Sequence, residues 1–249
     1  ANVLVVTNDS LVRAGIFGKD VNVTGNATID SNFSATADTE CLGIDVGGIV
    51  IGVNVFVSDL TADNRATVDT TGATITVGSL SVYAGRQEKA GTTNKPNSTT
   101  ANAVGIGSAN AVLAVSVNVA YAENSTVNNA EVLGTGKLTV HGALTVEANG
   151  RASAYAVMGS GIVQVSGAKI ASNNAFAYVD AEQIASIENA NISTNGGAVK
   201  VASNFNLPNG NGSCGAVSLI GVNGPDCNGD GEPVNGKGEA LEVSLIGIT

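Results

Sequence analysis

The sequence has few charged and few aromatic residues, and these shortages exclude several classes of protein. Charged residues make up 13% of the 249 residues, against about a quarter in an average soluble domain. Tryptophan is absent, and four Tyr and five Phe are the only aromatic residues. A core must therefore be built mainly from Val, Ile, Leu and Ala. Intrinsic disorder is excluded, because it requires low hydrophobicity and this chain is 43% hydrophobic.

Basic residues and histidine are also scarce. Eleven Lys and Arg stand against 21 Asp and Glu, a net charge of −10, which is the wrong sign for binding nucleic-acid phosphates. No apolar run approaches the 18 or so residues of a membrane-spanning helix. His141 is the single histidine, so sites with several His ligands are excluded. It precedes a glycine at a predicted strand end, which favours a solvent-facing corner over catalysis.

The dominant hydrophobic period is two, which predicts an almost entirely β protein. Val- and Thr-rich segments alternate with Gly, Asn and Asp along most of the chain, as expected for strands and turns. Residues 180–189 are the best candidate for a helix. The pattern also contains repeats, because apolar-polar-Val triplets begin at Val21, Leu80, Leu144 and Val199.

These triplets head about three imperfect units of roughly 60 residues. Repeats with few aromatic residues favour a parallel β-solenoid, with a right-handed β-helix as the expected form and with Asn and Gly at its corners. A coil of about 20 residues would give three coils per unit and a rod of roughly 55 Å. An antiparallel β-sandwich is the alternative with the same period.

Composition divides the chain into three parts. Residues 1–203 are the predicted solenoid, 204–240 a loop or cap rich in Gly, Pro and Cys, and 241–249 a terminal strand. Cys214 and Cys227 bracket a Gly-rich segment and can form a local disulfide if the protein is exported. Three free thiols are the alternative. The remaining cysteine, Cys41, has no histidine near it in sequence and is expected to be a small buried side chain.

One segment resembles the start of a calcium-binding loop. Asp226, Asn228 and Asp230 place oxygen ligands at alternate positions before a glycine, as hard cations require. The twelfth position holds Lys237 instead of the bidentate glutamate of a complete loop. Calcium is the one cofactor that the sequence suggests, and a solvated turn is the alternative.

No constellation of residues predicts catalysis. The acidic residues are scattered, and the closest pair, Asp59 and Asp63, falls in a polar stretch that suggests a loop. We therefore expect no enzymatic activity. A carbohydrate-active β-helix that binds or cleaves polysaccharides is the alternative, although it usually needs aromatic platforms that are rare here. Ice binding would need a regular Thr ladder, and Thr74-Ile75-Thr76 is a single rung.

Two segments carry a resemblance to a known family. Gly78–Ala84 and His141–Ala148 resemble the G-x-L-x-V-x-A rungs of filamentous-haemagglutinin-like surface proteins, including leukotoxin-type filamentous adhesins. The likeness extends over residues 1 to about 203. It implies an extracellular or cell-surface protein that acts in adhesion or in a matrix, with host or matrix glycans or proteins as partners. It implies no catalytic residue.

The ends of a solenoid are unpaired strand edges. Both end strands are apolar and without charged caps, and their candidate assembly residues are Val3, Val5, Leu241, Val243 and Leu245. The sequence therefore predicts a segment or subunit of a bacterial surface filament or adhesin, with other copies of the chain as partners. Such ends can pair head to tail by strand addition.

Overall fold

The computed structural model describes residues 1–86, 97–160, 168–188, 190–205, 215–218 and 235–245, with 107–110, 160, 169, 215–218 and 235–245 described by their backbone. The described residues form strands and turns without a helix, so the all-β prediction is confirmed. The strands are β1 (Asn2–Phe17), β2 (Val21–Ser31), β3 (Ser34–Asp69), β4 (Thr74–Ala84), β5 (Asn97–Leu133), β6 (Lys137–Val140), β7 (Leu144–Ser160), β8 (Ala168–Val179), β9 (Glu182–Glu188), β10 (Asn191–Thr194), β11 (Val199–Phe205), β12 (Gly215–Ser218) and β13 (Asn235–Leu245).

The strands stack in parallel register, one turn of the chain above the next, as a β-solenoid requires. Leu80 pairs with Leu144 and Leu144 pairs with Val199, so one turn takes 144 − 80 = 64 and then 199 − 144 = 55 residues. Each repeat unit is therefore a single turn, and the expected coil of about 20 residues is wrong. The described chain makes about four turns, or roughly 20 Å at the usual strand spacing.

Each turn contributes to three stacks of strands. Stack 1 contains β1, residues 49–69 of β3, residues 113–133 of β5, β8 and β9, with β13 at its end. Stack 2 contains β2, β4, β6 and the start of β7, then β10 and β11. Stack 3 contains residues 34–48 of β3, the start of β5, the end of β7, and β12.

Stack 1 packs across the core against both other stacks. Its first half meets stack 3 in a cluster dominated by alanine, with Phe56 and Leu60 as the large side chains. Its second half meets stack 2 in a cluster of Val, Leu and Ile that includes Ile75 and Leu138. Alternate residues point inward because side chains of a strand alternate between its two sides. The small alanines allow stacks 1 and 3 to approach closely.

The strands β3 and β5 pass without a break from stack 3 to stack 1. They do so through an arch, in which Gly43 faces Asn54 and Gly52 faces Asp45 across a narrow gap. A side chain at Gly52 would overlap the Asp45 carboxylate, so the gap requires small residues on one side. We call residues 42–53 and 106–117 the arch lobe.

Glycine occupies the corners, as predicted. Gly18, Gly72 and Gly134 all follow the long strands of stack 1 and have φ values of 52°, 66° and 103°, which glycine adopts more readily than other residues. Asparagine is found at a corner too, at Asn195 beside Gly196, but several other asparagines lie on the inward side of the strands, where they are buried.

The strand pairing excludes the alternative fold and the helix candidate. All described strand pairs are parallel except β8 with β13, which excludes the antiparallel sandwich. The best candidate for a helix, residues 180–189, contains the strand β9, which pairs in parallel with β5. Within the predicted loop or cap at 204–240, residues 215–218 form β12 and Asn235 begins β13. The terminal strand therefore begins before 241.

Candidate functional site

The first turn of the solenoid has an open edge. In the described part of the chain, β1 pairs only with β3, β2 only with β4, and residues 34–53 only with β5. Three consecutive strands therefore present unpaired N–H and C=O groups on the side away from the second turn. Such an edge is a template for another strand.

A ladder of asparagine side chains leads to this edge. Asn2 donates through Nδ2 to Asn54 Oδ1, Asn54 donates to Asn118, and Asn118 donates to Asn173, each over 2.7 Å. All the donors point from the first turn toward the last. A strand added to the first turn would continue the ladder by donating a hydrogen bond to Asn2 Oδ1.

A second buried network lies further along stack 1. The Ser31 hydroxyl and Asn64 share a short hydrogen bond, Asn64 donates to Asn128 Oδ1 over 3.0 Å, and Asn97 donates to the same oxygen. Ser31 is in the first turn, Asn64 and Asn97 are in the second, and Asn128 is in the third. Buried amides that are satisfied by one another in this way fix the register of stacked strands.

The outward side of stack 1 differs sharply between its two halves. Its second half is acidic, with Asp59, Asp63 and Asp69 on one strand and Arg65 in an ion pair with Asp63 at 2.8 Å. Asp59 and Asp63 thus lie in β3 and not in the predicted loop. The first half carries apolar residues with no charge, described below.

Aromatic rings and carboxylates meet between the two halves. The rings of Tyr121 and Tyr178 lie 5.4 Å apart at 40°, and Phe176 pairs with Tyr121 in register. Tyr121 Oη donates to Glu123 Oε2 over 2.5 Å, and Asp59 pairs with Glu123. Partial burial, followed by this hydrogen bond, raises the pKa of the Tyr121 phenol.

The apolar first half of stack 1 continues across the arch lobe. Its exposed side chains include Ile49, Ile51, Val53, Leu113 and Val117, and Ile51 is 79% exposed. The inner side of the lobe carries glycine and Asp45 beside a small buried cluster of Val50, Ala111 and Ala114. Most of the large apolar residues of the lobe therefore face outward, which is the reverse of the usual distribution.

The predicted assembly residues lie at opposite ends of stack 1. Val3 and Val5 are on the outward side of β1 and are 66% and 54% exposed. Leu241, Val243 and Leu245 are in β13, where they pair with Ser172, Ile170 and Ala168. Because β13 is antiparallel, Ala240 stands opposite Asn173, and the asparagine ladder ends there.

The remaining candidates lie at separate places. Cys41 is half-buried against the alanine-rich cluster. His141 is exposed at a turn, and its Nδ1 lies 2.8 Å from Asn195 Nδ2. The calcium candidates Asp226, Asn228 and Asp230 and the disulfide candidates Cys214 and Cys227 lie outside the described residues.

The asparagine ladder, the aromatic and acidic cluster and the arch lobe were not found from the sequence. A signal for the ladder exists, because Asn54, Asn118 and Asn173 are 64 and 55 residues apart, the same spacing as the triplets at Leu80, Leu144 and Val199. Among the described residues, no cluster of His, Cys, Asp and Glu is suited to a metal ion, and no helix is long and apolar enough to span a membrane.

The fold defines a parallel β-solenoid whose first turn has an unpaired outer edge in the described part of the chain. Comparison of the chain with protein-family models, with curated proteins and with solved structures finds no match.

Proposed function

We propose that this chain is a structural or adhesive extracellular protein, a segment or subunit of a bacterial surface filament or adhesin that assembles by pairing of its solenoid ends. The observation that carries the proposal is the unpaired edge along β1, β2 and residues 34–53. Strand addition there satisfies the backbone groups and covers core side chains such as Val6 and Ile16, which the first turn leaves partly exposed.

The partner in this proposal is the last turn of another copy. In the described part of the chain, β10, β11 and β12 pair only with the preceding turn. Their other edges are therefore free to pair in parallel with β2 and residues 34–53 of the next copy. The strand β13 offers β1 an antiparallel edge in stack 1. Head-to-tail contacts of this kind repeat without closing, and they produce a filament.

A lysine placed inside the first turn tests the proposal. Val12 is half-buried on the inward side of β1, so the Val12→Lys ammonium can reach water through the open end of a free chain. A stacked turn would bury that charge without a partner, which is costly. We expect Val12→Lys to raise the concentration needed for filament formation by about tenfold or more, as measured by light scattering and negative-stain electron microscopy.

Leu11→Lys is the matched control, because the neighbouring Leu11 points outward and is 58% exposed. It adds the same charge to the same strand and should leave filaments unchanged. Isolated particles of the wild-type chain at every concentration would overturn the proposal. Adding EDTA to the wild-type filaments also tests the predicted calcium site at Asp226, Asn228 and Asp230, whose loss should weaken assembly.

Polysaccharide binding is a second candidate function, favoured by the cluster of Tyr121, Phe176 and Tyr178 beside Glu123. Aromatic rings stack on sugars, and carboxylates accept hydrogen bonds from hydroxyl groups. We expect Tyr178→Ala to lose retardation in gels containing neutral polysaccharides, and Tyr155→Ala, in stack 3, to keep it. Equal mobility of the wild-type chain with and without polysaccharide would reject this function.

A further inference from the structure

We propose that the apolar outward side of the first half of stack 1 is a docking surface for a second copy of this chain, with the two copies related by a twofold axis parallel to the stacking direction. We call this surface the apolar face. It comprises the outward residues 49–57 and 113–121, the paired residues 3 and 5 of β1, and the paired residues 168–176 of β8.

The apolar face has the composition of a surface that is normally buried. Ile49, Ile51, Val53, Leu113, Val117 and Ile170 are all at least 38% exposed. None of the outward positions on this face carries a charged residue. Parallel sheets in proteins are normally covered on both sides. Within the described ranges of the chain, stacks 2 and 3 cover only the inward side of stack 1.

The size of the face is sufficient for a dimer. Five outward positions on a strand span roughly 30 Å, and four strands at about 4.8 Å span roughly 19 Å, although β1 contributes only residues 3 and 5. The resulting area of roughly 500 Å² is within the range for the largest apolar patch on a monomer. Two copies would bury about 1,000 Å² in total, which reaches the lower limit for a specific interface.

The distribution of charge selects the orientation of the second copy. Acidic residues begin at Asp59 and continue to Asp69 along the same side of stack 1. A twofold axis along the stacking direction superimposes the two apolar halves and sends the two acidic halves to opposite ends. An axis along the strands would instead place the acidic halves against each other. The selected axis keeps the stacking direction of both copies the same.

A lipid surface fits the same face poorly. The face includes the edge strand β1, whose unpaired backbone groups would be costly in hydrocarbon. No Lys or Arg lies on the face to bind anionic headgroups, and the neighbouring acidic half would be repelled by them. A protein surface of the same shape avoids both costs.

The test compares Ile51→Lys with Thr61→Lys by analytical ultracentrifugation. Both residues are exposed on the outward side of β3, ten positions apart, but only Ile51 lies on the apolar face. The measurements use the Val12→Lys chain, in which end-to-end assembly is reduced, so that dimers are distinguished from filaments. We expect a dimer. Ile51→Lys should raise its dissociation constant about a hundredfold, because the dimer would bury an unpaired charge, and Thr61→Lys should leave the dissociation constant unchanged.

Three results would overturn the proposal. The first is a monomer at all concentrations while Ile51→Lys lowers the melting temperature, which would indicate that another segment of the same chain covers the face. The second is binding of the wild-type chain to phosphatidylcholine vesicles that Ile51→Lys abolishes, which would indicate lipid. The third is a dimer equally weakened by both substitutions. Circular dichroism of each variant confirms that the fold is kept.

Discussion

At the scale of single residues, the main feature is asparagine, whose side chains form buried rows within the solenoid. Asn54 and Asn118 are almost completely buried, and each amide both donates and accepts within the ladder. A row of this kind repeats at every turn and is satisfied only in one register. It therefore specifies the stacking more than it stabilises it, because the net gain of each hydrogen bond is modest.

Removing one member of the ladder should be costly. Asn118→Ala leaves Asn54 Nδ2 without its acceptor and removes the donor to Asn173 Oδ1. Loss of buried partners costs about 1–3 kcal/mol, so we expect a decrease of that size in the free energy of unfolding, measured by urea denaturation. Asn102→Ala in the same strand is the control, because Asn102 is half-exposed on the outward side and its hydrogen bond to Asp38 Oδ1 is exposed to solvent, where its loss costs little. A similar decrease for both variants would contradict the ladder's role.

Two carboxylates on β3 should respond to pH in opposite ways. Partial burial, then Glu123 and Asp9, raises the pKa of Asp59 above 3.8. The folded chain therefore holds this proton more tightly than the unfolded chain, and stability falls as pH rises through the window just above 3.8. Asp59→Asn should raise the melting temperature at pH 7, with the difference from wild type disappearing below pH 3.8.

Asp69 provides the comparison of opposite sign. Hydrogen bonds from the Thr71 hydroxyl and backbone N–H lower the pKa of the Asp69 carboxyl below 3.8. Its ionised form stabilises the fold at neutral pH, and this contribution is lost as pH falls below 3.8. Asp69→Asn should lower the melting temperature at pH 7. Shifts of the same sign for both variants at pH 7 would refute this assignment.

At the scale of the strands, stacks 1 and 3 make a close contact next to the arch lobe. Gly105 lies against the buried Phe56 ring, and an added Cβ would overlap that ring and approach Met158 Sδ at 3.0 Å. Gly105→Ala should destabilise the chain by about 1–3 kcal/mol, the usual cost of overpacking a core. Urea denaturation of this variant, of Phe56→Leu and of the double variant measures the coupling between the two residues.

Gly25→Ala is the control for this contact. Gly25 lies at an irregularity between β2 and β4, and an added Cβ meets nothing within 4 Å. Its stability should change little or rise slightly, because alanine restricts the unfolded chain. The outcome that would contradict the contact is additivity of Gly105→Ala and Phe56→Leu. If the double variant loses as much free energy of unfolding as the two single variants together, the Phe56 ring is not what excludes a side chain at position 105.

The strands of the solenoid could be predicted from the sequence, but the length of its turn could not. The alternation of period two specifies which residues of β3 face inward, and the triplets at Leu80, Leu144 and Val199 pair as their spacing indicates. The same alternation runs unbroken through the arch, so nothing local marks where β3 passes from stack 3 to stack 1. Only the pairing of distant residues reveals that one unit is one turn.

The errors at the site have the same physical origin. Residues 180–189 were the best helix candidate from their local sequence, yet Glu182–Glu188 is held as a strand by pairing with Val127–Leu133. The half-buried Asp59 was assigned to a loop because its neighbours are polar. Polar residues are equally common on the outward side of a strand, so their presence does not distinguish the two. Residues from separate turns meet at Glu123 and Tyr178, and no short window of sequence contains both.

For the whole molecule, the balance between charge and apolar surface should control assembly. Each copy carries a net charge of −10, and copies that stack or pair must approach against this repulsion. The surfaces that we propose to meet are the backbone edge of the first turn and the apolar face, neither of which depends on ion pairs. Salt should therefore promote association by screening the repulsion, whereas it would weaken contacts made by opposite charges.

Light scattering across a salt series measures this balance. Raising the ionic strength from about 0.01 M to 0.1 M shortens the screening length from about 30 to about 10 Å, and we expect the concentration needed for assembly to fall. Bringing the chain near its isoelectric point of about 4.4 at low salt should have the same effect, because it removes the repulsion by protonation. Dissolution of the assemblies by salt would mean that ion pairs hold them, and both proposed interfaces would then be wrong.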